Sequence, residues 1–200
     1  MTDRQSPTEF FVAAAVVVGE LVDVMNTARE LSLAAKNAKA IAGRAGTRAA
    51  GFRPITEFID AMGNETRELV LQINRCALSM SRNAVAEARI EGECRRLAAA
   101  RRQMTTACPE VEALQRAVDA RLALQRERMR DDLRTLVDLL ETIAHRMRAA
   151  RVISTRSRVE ATHAGDYQTN LKLVADVVEN AAEKIRVAVS GCIDCLRHAA

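Results

Sequence analysis

Apolar residues recur along this chain at alternating steps of three and four. Toward the C-terminus, Leu171, Val174, Val178, Ala181, Ile185, Ala188, Cys192 and Cys195 form one such series. Residues spaced this way lie along one side of a helix and make the seam of a helical bundle. Phe52, Ile55, Ile59, Met62, Thr66, Leu69, Ile73 and Cys76 repeat the same steps. Two shorter series use mainly small residues: Leu31, Ala35, Ala38, Ala42 and Ala45, then Ala150, Ser154, Ser157, Ala161 and Ala164. The breaks between these runs are few. Ser6-Pro7-Thr8-Glu9 is a helix start, with Ser6 as cap and Glu9 completing a capping box. Gly43 to Gly51 interrupts the pattern, and Pro54 suits a first turn. Cys108-Pro109-Glu110 is a turn and restart, since Pro cannot continue a helix from within. Gly165 marks the last break. The pattern predicts helices near 8–43, 54–106, 110–163 and 169–197.

The second half of the chain repeats the first. Asn37 to Met62 aligns without a gap on Ser157 to Ala182, Ala45 matching Ala164 at an offset of 164 − 45 = 119 residues. The same offset superposes all the seams. Each copy is a small-residue helix, a short Gly-containing turn and a second helix with an apolar seam. Helices two and three, each about 50 residues and so about 75–80 Å long, join at Cys108-Pro109. Both Gly-containing turns then fall at the same end. The expected fold is all-α: an elongated antiparallel four-helix bundle in one domain, 1–200, made of hairpin copy one (8–106) and hairpin copy two (110–197).

Composition agrees. Of 200 residues, 48% are hydrophobic and 28% charged, but only 2% are aromatic, a mixture suited to long helices with aliphatic seams. A net charge of +4 is mild, and the basic clusters Arg95, Arg96, Arg101, Arg102 and Arg126, Arg128, Arg130 are interspersed with acids. They read as solvated helix surface rather than a nucleic-acid footprint. The uncharged run from Phe10 to Gly19 falls short of the roughly 20 residues that cross a bilayer, and no signal peptide precedes it. The chain is expected to be cytoplasmic, without a membrane span.

Little in the sequence suggests catalysis. Phosphate loops, zinc-protease pairs and nucleophile elbows are absent, and adjacent acids such as Asp131 and Asp132 face different directions on a helix. Cys192, Cys195 and His198 form the sharpest chemical pattern, an alternative reading as metal ligands or a redox dithiol. Both cysteines lie on the seam, where Cys acts as a small hydrophobe. Cys94, Leu97, Arg101, Met104 and Cys108 extend helix two's seam by the same steps. Gly63 and Gly92 read as surface glycines within that helix. The expectation is a non-enzyme with no cofactor.

The two turns carry a resemblance. Glu160-Ala161-Thr162-His163-Ala164-Gly165-Asp166, followed by Leu171-Lys172-Leu173-Val174-Ala175-Asp176, and Ile41-Ala42-Gly43-Arg44-Ala45-Gly46-Thr47, followed by Gly51-Phe52-Arg53-Pro54-Ile55, resemble the cytoplasmic signalling hairpin of methyl-accepting chemotaxis proteins. The likeness covers about 50 residues in two blocks. In that family the tip binds an adaptor protein and a histidine kinase, and a Glu with an Arg three residues later joins receptors into trimers. Here Ile41 stands for that Glu in one copy and His163 for that Arg in the other. The methylation pattern is missing. The resemblance implies a soluble receptor-like signalling or scaffold protein that presents its tips to a chemotaxis adaptor or histidine kinase, with self-association through the tip a further expectation. The implied partner-binding residues are Arg44, Thr47, Phe52, Glu160, His163, Asp166, Tyr167 and Leu173. Of these, Phe52 lies on the seam and is expected to be mostly core. Tyr167 in the turn and Leu173 off the seam are expected to be exposed.

Overall fold

A computed structural model describes residues 7–104 and 108–199. Four long helices account for nearly all of them: α1 (Pro7–Ala45), α2 (Phe52–Gln103), α3 (Pro109–Ala161) and α4 (Gln168–Ala199). Short 3₁₀ turns, Gly46–Ala49 and Gly165–Tyr167, link α1 to α2 and α3 to α4. No described residue lies in a strand. The Ser6 cap falls outside the described residues.

Each helix packs on two neighbours, α1 on α2 and α4, and α3 on the same two. This is the expected all-α four-helix bundle. The seams do what their spacing requires. Leu171, Val174, Val178, Ala181, Ile185 and Cys192 are buried, as are Phe52, Ile55, Ile59, Met62, Thr66 and Ile73. The small seams of α1 and α3 are buried too, through Leu31, Ala35, Ala38, Ala150, Ser154, Ser157 and Ala161. Two buried hydroxyls on the seams are satisfied by their own helix: Thr66 donates to the Met62 carbonyl at 2.8 Å and Ser157 to that of Ile153 at 2.8 Å. Such i−4 bonds let a polar residue occupy a helix seam at little cost.

Helix boundaries move by a few residues from those the sequence predicts. Gly43 does not end α1, which runs on to Ala45; Gly46, with φ of 63°, supplies the left-handed residue that stops it. Pro54 is the third residue of α2, where its missing N–H has no helical partner to lose. The predicted end of helix two, 106, lies outside the described residues, and Met104 leaves the helix with ψ of 128°. Cys108 caps α3: its carbonyl accepts from the Val111 and Glu112 N–H groups at 3.1 and 3.2 Å, with Pro109 following.

Two expectations are corrected. The α2 seam does not continue through Cys94 and Cys108 as core. Cys94 and Leu97 are half-buried, Arg101 and Met104 are exposed, and Cys108 is a helix cap. The reason is helix length. With 39 and 32 residues, α1 and α4 fall short of α2 and α3, so beyond about Ile90 and Val118 only two helices remain to cover each other among the described residues. Gly63 is not a surface glycine either. It is buried, and an ideal Cβ there would lie 3.0 Å from the Ala28 carbonyl oxygen and 2.5 Å from Ser32 Oγ. Close approach of α1 to α2 requires hydrogen at this site.

Candidate functional site

Both turns lie at one end of the bundle, and each is touched by the other hairpin. An ideal Cβ on Gly51, at the start of α2, would fall 2.7 Å from Glu160 Cδ, so the Glu160 side chain occupies the space a side chain at 51 would need. At the second turn an ideal Cβ on Gly165 would lie 3.1 Å from Arg48 Nη1. Gly165 has φ of 57°, close to the 63° of Gly46. Two equivalent glycines therefore take the left-handed conformation that side chains avoid, 119 residues apart.

The two turns are alike but not identical. In copy one α1 stays helical up to Ala45, the residue before the glycine. In copy two α3 stops at Ala161, and Thr162, His163 and Ala164 make i to i−3 bonds to Val159, Glu160 and Ala161, each 3.1 Å. The last turn is thus tightened. Thr162 reinforces it by donating from Oγ1 to the Val159 carbonyl at 2.7 Å.

The sequence-derived residues separate into two groups. Arg44, Thr47, His163, Asp166 and Leu173 are exposed, and Glu160 is half-buried over Gly51. Phe52 is 1% exposed and fully committed to the core, so it is not a docking residue; its place on the seam decides this. Tyr167 is corrected as well. Its ring is half-buried and packs on the core. The turn is a 3₁₀ segment, closed by the Tyr167 N–H donating to the Ala164 carbonyl at 3.2 Å, and this folds the ring back toward the bundle. Leu173 keeps 63% of its surface exposed.

What the sequence did not single out is a shallow open groove of about 570 Å³ along hairpin one, lined by Lys39, Gly43, Thr47, Ala50, Arg53 and Thr56 among others. Its walls are backbone and small side chains, with Lys39 and Arg53 as its charges. Arg53 makes only an exposed i,i+4 pair with Glu57 at 3.5 Å. Sequence periodicity places these residues off the seam but cannot show that they flank one cleft.

Three of the cysteines, Cys76, Cys192 and Cys195, pack in or against the core. Cys192 is buried and its thiol pKa is pushed up to about 11, chiefly by desolvation. Burial pushes the Cys76 thiol up to about 11 as well, with the Asp132 charge adding to it. Cys76 Sγ donates to the Asp132 carbonyl at 3.4 Å. His198 is exposed, its Nδ1 2.6 Å from the Asp194 carbonyl. Among the described residues no three His, Cys, Asp or Glu side chains gather as a metal-ligand set. Compared with known proteins, the chain matches no family model, and no curated protein or solved structure is similar enough to count as a relative.

Proposed function

We propose that this protein is a soluble chemoreceptor-like signalling or scaffold protein, docking an adaptor or histidine kinase of a chemosensory system at its hairpin tips. The observation that carries this reading is the pairing of two receptor-like hairpins in matched register, their equivalent left-handed glycines Gly46 and Gly165 at one end of one bundle. Receptors assemble such a tip from two chains. Here one chain supplies both hairpins.

The docking surface of this reading consists of Arg44, Thr47, His163, Asp166 and Leu173, all exposed, beside the groove that holds Lys39 and Arg53. Leu173 supplies the apolar contact, and the charges supply orientation at its rim. Phe52 and Tyr167 support this surface from beneath.

The test is binding of the purified chain to the adaptor and kinase encoded nearest to its gene, with Leu173→Ser and Arg44→Glu as variants. Loss of binding at unchanged helicity is the expected result. Binding that survives both substitutions, or no binding to either partner, would overturn tip docking.

A further inference from the structure

The two copies differ in charge beside their turns. Between residues 36 and 53, copy one carries Lys36, Lys39, Arg44, Arg48 and Arg53 and no acid. The equivalent stretch of copy two, 119 residues on, includes Glu160 and Asp166. The cations also behave differently. Arg158 stands where copy one has Lys39, and it is held by its own hairpin. Its Nε and Nη2 donate to Asp176 at 3.0 and 2.8 Å, and it pairs with Glu179. Glu57 and Asp60 occupy the matching places in copy one. Lys39 nevertheless forms no ion pair among the described residues. Asp60 Oδ1 is buried without a hydrogen-bond partner. Glu57 turns instead to Arg53 at 3.5 Å, with side chains 56% and 80% exposed. A pair that open to water is weak and yields readily to a better partner.

Lys39 and Arg53 both line the groove of about 570 Å³ on hairpin one, one cation from α1 and one from α2. Among the described residues no acid lines it. The groove is open because its floor is small: Gly43 and Ala50 lie on it where copy two has Thr162 and Thr169. An ideal Cβ on Gly43 meets nothing within 4 Å. Charge complementarity calls for an acidic occupant. Both walls are helices, which offer no strand edge for an extended peptide to pair with, so the occupant that fits is a helix laid in the groove. A flat bilayer surface cannot enter a cleft between two helices.

We propose that this groove binds an acidic helix of a protein partner, its Glu or Asp side chains on Lys39 and Arg53 and its small residues against Gly43 and Ala50. The proposal rests on tip docking for the kind of occupant, a protein, and adds its chemistry. It also assigns the helix to one copy. Hairpin one takes it, whereas hairpin two has already neutralised Arg158 and carries the two threonines.

The probe is a fluorescent alanine-based helical peptide of about 15 residues with Glu pairs at i and i+4. It is titrated into the full chain and followed by anisotropy, with its Gln counterpart as control. The Glu peptide should bind at least about tenfold more tightly. Lys39→Glu and Arg53→Glu should each weaken it several-fold. Arg148→Glu, the same charge change at an exposed site on α3, should leave binding unchanged. Gly43→Thr with Ala50→Thr should remove binding at an unchanged melting temperature; if melting falls, the two charge variants decide. No binding of the Glu peptide, equal binding of the Gln peptide, or an equal loss on Arg148→Glu would overturn the proposal. So would duplex DNA that binds more tightly than the peptide and is lost on Lys39→Glu, which would assign the cations to phosphate. The same variants separate the groove from tip docking. An adaptor that needs Leu173 but ignores Lys39→Glu and Arg53→Glu would overturn the groove and leave tip docking standing. A chain that takes the Glu peptide in the groove while no adaptor binds would support the groove and overturn tip docking.

Discussion

Two glycines on α2 behave oppositely for reasons visible only around them. Replacing Gly63 by Ala removes a helix-propensity cost of about 1 kcal/mol but drives a methyl group onto the Ala28 carbonyl. Backbone cannot retreat cheaply, so Gly63→Ala is expected to destabilise the bundle by about 1–3 kcal/mol. At Gly92 the nearest atom to an ideal Cβ is Arg96 Nη2 at 3.9 Å. Gly92→Ala should therefore gain up to about 1 kcal/mol. Urea unfolding followed by circular dichroism separates the two. Sequence alone gives both residues the same reading, because helix propensity is local and the approach of α1 is not. The buried thiols make a second prediction at this scale. Burial pushes the Cys76 and Cys192 thiols up to about 11, so the folded chain holds these protons where an unfolded chain releases them at the ordinary thiol pKa of 9.0. Stability should be complete below pH 9 and fall as pH rises from there toward 11. In the same range, alkylation of Cys192 should accelerate with pH. Thermal melts across pH 8 to 11, with site-resolved alkylation by mass spectrometry, check both; a flat profile would contradict the assigned burial.

At the scale of elements, the long helices are held in register partly by ion pairs between neighbours. Arg158 on α3 bonds Asp176 on α4 at 2.8 Å and also pairs with Glu179, and Arg197 on α4 reaches Glu141 on α3 at 3.2 Å. Most are exposed and contribute little individually. The exception lies between α2 and α3. There Arg126 bonds Glu87 at 2.9 Å and Glu91 at 2.7 Å, and Glu87 is buried. The Glu87 and Glu91 carboxylates raise the Arg126 pKa, with the Glu87 hydrogen bond the main cause. Arg126→Ala strands a buried carboxylate. Because Arg126 is partly exposed, the expected loss is limited to about 1–2 kcal/mol, read as a lower urea midpoint at unchanged slope. Past this layer, among the described residues, α2 and α3 pack only on each other. Hydrogen exchange should be fastest within 93–103 and 109–117, where neither helix has a second partner among the described residues. Protection there equal to that around Ile73 and Leu140 would show that something covers this segment.

For the whole molecule, length follows from the longest element. A helix of 53 residues is about 80 Å long, and the turns and side chains add a little. Small-angle scattering should give a maximum dimension of about 80–90 Å. A compact particle would contradict the bundle. Duplication has a consequence at this scale as well. Both tips are fixed in one covalent unit, so their geometry does not depend on protein concentration. Yet they are not equal: copy two tightens its last helical turn and carries a half-buried Tyr167, whereas copy one has Arg48 at the matching position, reaching over Gly165. A partner that meets this end meets two different surfaces.

Much of the fold was legible from spacing alone, because a heptad seam has one physical solution. Its residues must face inward, and the offset of 119 residues requires the second hairpin to repeat the first. Burial of Phe52, Leu171 and the small seams followed directly, and so did the two turns. The chain ends of the helices did not. Whether Cys94 is core depends on how far α1 and α4 extend alongside it, which is a relation between elements rather than a property of either sequence. The candidate site divides along the same line. Leu173 is exposed because its helical phase puts it off the seam, and phase is written in the sequence. Tyr167 is half-buried because a 3₁₀ turn folds it inward, Glu160 fills the space over Gly51, and Lys39 and Arg53 flank a common groove. Periodicity fixes which side of a helix a residue occupies. Only packing decides what stands opposite it.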